Sequence, residues 1–334
     1  MRNRNSANLP SQTDRSDDSS TLTPPSGSAQ ESAGGAPMGA QTKKKSGVGL
    51  NIMIVFFALV LLGGIGLIAY PTFANWWNSM HASRAVAGYV EQVNDMSGEQ
   101  KKELLDQAHA YNQKLNTVPD RWHLTDEQMD EYNKTLDITG TGIMGYITIP
   151  KLEVRLPVYH GTEDTVLQIA GGHLAGSSLP VGGTGTHTAV SGHTGLPSAK
   201  LFTGLDSLKE GDTFAFHVLD DTYTYQVDQI RTVLPNEMRD LDFDPNQDYA
   251  TLITCTPYGV NSHRLLVRGH RIPTPVEADE TQYDKADTNR TLVIAGIALA
   301  IVLFILWIIW LIVRRSRKRG RDAVGGSQVK HAGR

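Results

Sequence analysis

Two blocks of the chain are apolar at nearly every position for more than five helical turns. They are residues 50–70, "LNIMIVFFALVLLGGIGLIAY", and 291–313, "TLVIAGIALAIVLFILWIIWLIV". A helix needs about 20 apolar residues to cross a bilayer, so transmembrane helices are expected over 47–70 and 291–313. A cleaved signal sequence has an apolar core of only about 7–15 residues. The first block exceeds that and follows a tail of more than forty residues. A retained anchor is therefore the expectation, with late processing left open.

Between the blocks the periodicity changes twice. Residues 84 to about 118 read as helix, with Leu104, Ala108, Tyr111 and Leu115 on one stripe and Lys and Asp on other faces. "DRWHLTDEQMDEYNKTL" (120–136) lacks a clear period and reads as a loop or a short surface helix. From "GIMGYITIP" (142–150) onward, short runs rich in Val, Ile, Thr, Tyr and Phe recur between turn residues. These runs are "YITI", "VRLPVY", "THTAVS", "TFAFHVL", "TYTYQV", "QIRTVL", "YATLIT" and "RLLVR". Short strands at this spacing predict one mainly β barrel or sandwich. Helical insertions are expected near "TVLQIAGGH" and "SAKLFTGL". No internal repeat and no βαβ alternation is visible.

Charge places these pieces about a membrane. Lys43, Lys44 and Lys45 precede the first span, and Arg314, Arg315, Arg317, Lys318, Arg319 and Arg321 follow the second. By the excess of basic residues both termini are expected in the cytoplasm. Residues 84–290 hold 17 Lys/Arg against 30 Asp/Glu, a net of −13; the rest holds 14 against 5, or +9, and together they give the chain's −4. The exposed domain is thus acidic, which excludes nucleic acid as a partner. The basic cluster needs no role beyond topology and contact with anionic lipid. Residues 1–46, rich in Ser, Thr, Gly, Pro and Gln, are expected to be a disordered cytoplasmic tail. The organisation read from this is a helical and lid segment at 71–141, a catalytic barrel at 142–273, a linker at 274–290 and a basic tail at 314–334.

Cys255 is the only cysteine of the 334 residues. It ends "YATLIT", and Arg264 opens "RLLVR" nine residues later. If the two runs are adjacent antiparallel strands, thiol and guanidinium converge. A free thiol of pKa about 8.5 is mostly protonated at neutral pH and needs a neighbouring base or cation to act as a nucleophile. The spacing C-x8-R is not the C-x5-R of phosphatase anion cradles. Taken alone, the cysteine reads equally as a buried inert thiol, and the arginine reads as a surface strand residue. Candidate bases are His160, His173, His187, His193, His217, His263, His270 and His123. None falls in a metal-binding spacing, so no metal or cofactor is expected. His193 stands apart, between two glycines where a strand run ends in a turn.

These residues carry a resemblance. "TLITC" with an arginine nine residues on, preceded by "SGHTGLPSAKLF", resembles the sortase family, the cysteine transpeptidases of Gram-positive cell surfaces. "GIMGYITIPKLEVRLPVYHGT", "GGHLAGSSLPVGGTGTHTAVSGHTGLP" and "TCTPYGVNSHRLLVRGHRIP" are similar to its class C, the pilus-assembling members. The likeness covers roughly residues 85–273. It implies a closed sortase-type β-barrel with short helical insertions, flanked by the two spans. It implies Cys255 as nucleophile, His193 as acid and base, Arg264 as oxyanion stabiliser, and Thr254 beside the nucleophile as a substrate contact. The implied partners are pilin or surface-protein substrates with C-terminal LPxTG-like sorting signals, cut between Thr and Gly and passed to a pilin lysine, together with the lipid bilayer.

Class C members carry a lid motif, Asp-Pro-Phe or Asp-Pro-Trp. Here the nearest match is Asp120-Arg121-Trp122, without the proline. The resemblance implies that Asp120 pairs with Arg264 and that Trp122 packs over Cys255, with Arg121 competing for Asp120. Two rivals stay open at this point: a housekeeping sortase that attaches surface proteins to peptidoglycan, and a two-span surface scaffold with an inert thiol. A papain-like peptidase is excluded, because no early Cys precedes a distant His and Asn.

Overall fold

The computed structural model describes residues 48–275 and 293–315. The expected tails at 1–46 and 314–334 and the linker at 274–290 fall wholly or mostly outside the described residues. The first helix, α1 (Val48–Asn94), runs for 47 residues, about 70 Å at the helical rise. Its apolar first half is exposed around its circumference, as is that of the last helix, α5 (Val293–Arg315). Both are long and apolar enough to cross a membrane. The second half of α1 changes character. Ala82, Val86, Tyr89 and Val93, spaced by four, three and four, are all buried against the domain. The Tyr89 hydroxyl accepts from the Leu219 N–H at 2.7 Å and donates to the Met144 carbonyl at 3.4 Å. One continuous helix, with Pro71 inside it, therefore passes from the apolar span into the domain core.

The single helix expected over 84–118 is two helices. The chain turns at Asp95–Ser97, and α2 (Gly98–Leu115) starts there on a capping box in which Ser97 and Gln100 bond each other's backbone N–H. The expected stripe holds: Ala108, Tyr111 and Leu115 are buried, joined by Asn112. The Asn112 side-chain amide pairs with both backbone groups of Leu179, at 2.7 and 3.1 Å, acting as a substitute strand partner. Within 120–136 a short helix forms, α3 (Asp126–Lys134), again on a capping box, from Thr125 and Gln128.

Eight strands follow: β1 (Ile143–Ile149), β2 (Val154–His160), β3 (Gly171–His173), β4 (Thr186–Ser191), β5 (Thr213–Val218), β6 (Asp221–Val233), β7 (Asp248–Thr256) and β8 (His263–Ile272). They close into a barrel in the order β1-β2-β3-β4-β7-β8-β6-β5. "TYTYQV" and "QIRTVL" are one strand, β6; a pairing irregularity between Val227 and Gln229 absorbs the intervening Asp228 without breaking the ladder. The helix expected near "TVLQIAGGH" is a single turn, α4 (Asp164–Leu167), followed by β3. Because β2 and β3 run parallel, this is a minimal strand–helix–strand crossover, a connection not visible in the sequence pattern. "SAKLFTGL" is not a helix; only a 3₁₀ turn at Leu205–Ser207 follows it.

The barrel interior is filled by Phe214, Phe216 and Tyr225, stacked or edge-on at 5.7–6.1 Å, with Leu252, Val267 and Val190. Burying each such side chain is worth about 1.5–3 kcal/mol, and this seals the inner face of β4, β7 and β8. Their outer face carries a separate, smaller cluster built on Ala189, Leu241, Ile253 and Leu266. The candidate site lies on that outer face.

Candidate active site

Strand register assembles the site. β7 and β8 are antiparallel, and Cys255 lies directly opposite Arg264. Directly opposed residues have Cβ atoms about 5 Å apart on the same face. β4 and β7 are parallel, with Ser191 opposite Ile253. The pairing runs on past the end of β4, because the Gly192 N–H donates to the Ile253 carbonyl at 3.0 Å. His193 follows directly, two residues past the end of β4. Strand alternation puts Ala189 and Ser191, Ile253 and Cys255, and Arg264 and Leu266 on one face. Thiol and guanidinium thus come from two adjacent strands at one level.

Local sequence explains why the chain tolerates this crowding. A Cβ on Gly192 would lie 2.7 Å from the Phe202 ring, so no other residue fits there without a shift. Gly195 holds a positive φ of 74° and packs its α-carbon against the Tyr258 ring. Thr254, expected to touch substrate, faces into the barrel and is 3% exposed. Its hydroxyl donates to the Gly192 carbonyl at 2.7 Å, tying β7 to the backbone just before His193.

The histidines separate cleanly. His173 is fully buried between Tyr132 Oη (2.9 Å) and the Ser178 carbonyl (2.8 Å), and His187 bonds the Asp242 carbonyl and Thr251 Oγ1. Burial pushes their pKa values down to about 3 and about 4, so both are neutral structural groups. His160 is held by the carbonyls of Gly142 and Thr135, and His217 by Thr148 and Thr222. His123, His263 and His270 are beside Asp120, Ser262 and Asp228. Of the eight candidates, only His193 has a ring with no partner among the described residues. It is half-buried, as is Cys255.

Arg264 is steadied on one side only. Its Nη1 donates to the carbonyls of Asn261 (3.3 Å) and His263 (3.2 Å), leaving Nε and Nη2 uncommitted among the described residues. It lines a groove of about 260 Å³ together with Thr162, Leu174, Ser191, Leu234, Glu237, Ile253 and Leu266. The wall contributed by the β6–β7 connection was not foreseen. Its only signal was the apolar content of "VLPNEMRDL" outside a strand.

The segment expected to form a lid is arranged differently. The Asp120 carboxylate bonds the His123 ring at 3.0 Å and is largely exposed; it does not reach Arg264. Arg121, seen only as a competitor, is the buried member. It donates to the carbonyls of Gly176 (2.7 Å) and Leu241 (3.0 Å) and to Asp242 (3.2 Å). Its guanidinium lies 4.1 Å from the Trp122 ring and 4.0 Å from that of Phe243. Trp122 packs on the outer cluster with Ile253 and Leu266, on the face that carries Cys255 and Arg264. No group of three or more metal-ligating side chains occurs among the described residues.

Comparisons with known proteins identify the family of this fold. The family model for the sortase domain matches residues 147–272. The sortase C1 structure from Streptococcus agalactiae is 53% identical, with a TM-score of 0.56, covering 57% of this chain and all of that one. Clostridium perfringens sortase C, solved with the C-terminal cell wall sorting motif, is 39% identical at a TM-score of 0.51, covering 58% of this chain and all of that one. Sortase A of Streptococcus agalactiae serotype III is 31% identical over 117 residues; the match spans 34% of this chain and about half (47%) of that protein. The chain belongs to the sortase family of cysteine transpeptidases and groups with its class C members.

Proposed function

We propose that this enzyme cleaves an LPxTG-like sorting signal between Thr and Gly and transfers the acyl group to a lysine amine of a pilin subunit. The observation that carries this reading is the direct pairing of Cys255 with Arg264 across β7 and β8, with the unpartnered His193 ring just past the end of β4. The Cys255 thiolate attacks the threonine carbonyl carbon, and the tetrahedral oxyanion forms beside the uncommitted nitrogens of Arg264. As the C–N bond breaks, His193 as imidazolium protonates the departing glycine amine, leaving a thioester. The lysine amine then attacks the thioester, His193 takes up its proton, and the sulfur leaves as thiolate. One amide is exchanged for another, so the thioester conserves the bond energy and no nucleotide is consumed. The groove that Arg264 helps to line also presents Leu174, Leu234, Ile253 and Leu266, which suit the leucine and proline side chains of the signal.

Two apolar helices would hold this domain at the outer membrane surface, with both termini in the cytoplasm. That placement follows from the flanking Lys and Arg residues and puts the enzyme where membrane-held substrates emerge. Support for the acceptor comes from the class C likeness. The test is to incubate the full chain in detergent with a candidate pilin and resolve products on a denaturing gel. A ladder of covalent polymer that disappears when the acceptor lysine is replaced is expected. Transfer only to a cell-wall peptide amine would contradict the pilin acceptor and favour the housekeeping role.

A further inference from the structure

The loop that leaves His193 is held by the membrane anchor itself. Residues 194–201, "TGLPSAKL", bulge out from the end of β4 and return at Phe202. Two bonds close the neck of the bulge: the Phe202 N–H donates to the His193 carbonyl (3.1 Å), and the Gly195 N–H donates to Thr203 Oγ1 (2.9 Å). Its far end is met by α1. Asn78 Nδ2 donates to the Ser198 carbonyl at 2.7 Å, and the Lys200 N–H donates to Asn75 Oδ1, also at 2.7 Å. Ala199 and Leu201 between and beside them are buried.

Asn75 and Asn78 are three residues apart, on one face of α1, and both are half-buried. They lie just past the apolar block, among Phe73, Trp76 and Trp77, whose neighbouring rings are 5.6–6.5 Å apart. Aromatic residues of this kind concentrate at membrane–water interfaces. The two bonds are of opposite sense, one accepting and one donating, so the side-chain amides match two backbone groups of the loop in one orientation only.

We propose that Asn75 and Asn78 are positioning residues for catalysis: the extracytoplasmic extension of the anchor helix fixes the far end of the loop and thereby holds the His193 imidazole in place. This rests on the proposed role of His193 as acid and base. Neither asparagine touches the reacting atoms. The domain core stands on Val86, Tyr89 and Val93 further along α1, so losing one of the two bonds loosens the loop without unfolding the barrel. A small misplacement of a catalytic group lowers the rate steeply, while the groove that binds the signal is left intact.

Matched isosteric substitutions test this in the full chain, in detergent, with an internally quenched LPxTG peptide and an amine acceptor. Asn75→Asp keeps the oxygen that accepts from Lys200, and kcat is expected within twofold of the parent. Asn78→Asp removes the donor and sets a carboxylate against the Ser198 carbonyl; kcat is expected to fall about tenfold, with KM within twofold and the thermal midpoint unchanged. Asn78→Gln, which restores a donor, should recover part of the loss. Equal behaviour of the two aspartate variants, a greater loss at Asn75, or a loss at Asn78 that appears in KM or in the thermal midpoint would each overturn the proposal. His193→Ala is run in parallel. If it is inactive while Asn78→Asp is unaffected, the positioning role alone fails; if it is fully active, the proposed role of His193 fails first.

Discussion

Alanine at His193 is expected to lower kcat/KM for transpeptidation by about 10²–10⁴, the range of a lost general acid–base. The thermal midpoint should stay within a degree or two, because the ring has no partner among the described residues to lose. The proposed mechanism uses this group in both half-reactions, and they separate experimentally. With a peptide substrate the glycine amine must be protonated to leave. With an ester analogue the leaving alkoxide demands less help, so acylation of Cys255 should recover in the variant. Aminolysis of the thioester by lysine should stay slow, because the attacking amine must still lose a proton. Pre-steady-state product bursts measure the two steps. A variant slow on peptide and ester alike in the acylation step would assign His193 to something other than proton transfer.

Lysine at Arg264 is expected to lower kcat by about 10²–10³, the cost of one oxyanion donor, with KM within a few-fold. Charge alone does not replace this residue. The guanidinium is anchored through Nη1 to the carbonyls of Asn261 and His263, and the planar fork then aims its remaining N–H groups in fixed directions. An ammonium group that satisfies the same carbonyls has no second donor held at that angle. Because the negative charge develops only on the tetrahedral oxygen, the loss belongs to the transition state and falls on kcat. Arg264→Ala should be at least as slow. Were Arg264→Lys instead to raise KM with kcat unchanged, the residue would be a ground-state binding contact for the peptide.

Much of this site was legible because β-structure has a period of two. Once "YATLIT" and "RLLVR" are read as a hairpin, the six-residue "PYGVNS" connection leaves little choice but to place Cys255 opposite Arg264, as β7 and β8 do. The glycines near His193, which drew notice to it in the sequence, have a physical reason: Phe202 and Tyr258 fill the space where side chains would stand. Three kinds of feature were not legible. β3 is three residues long, "GGH", too short to display alternation, yet it joins β2, which it pairs in parallel, to β4, which it pairs antiparallel. Asp228 reads as a turn, but long strands on both sides of it carry β6 through as one element. Contacts between distant segments leave no local pattern at all. Arg121 reaches residues 55 and 120 positions away, and Asn75 and Asn78 reach 125 and 120 positions. The motif around Asp120 drew notice to the acid and the aromatic, whereas burial selected the arginine between them.

The most direct measurement is the location of the acyl group. The full chain is incubated with an LPxTG peptide without an amine acceptor, quenched in acid, and digested for mass spectrometry. The expected result is a mass increase equal to the peptide up to threonine, carried as a hydroxylamine-labile thioester on the fragment that contains Cys255 and absent in Cys255→Ala. Cleavage of the peptide by Cys255→Ala at the parent rate, or a stable adduct on any other residue, would contradict the assignment of Cys255 as the nucleophile.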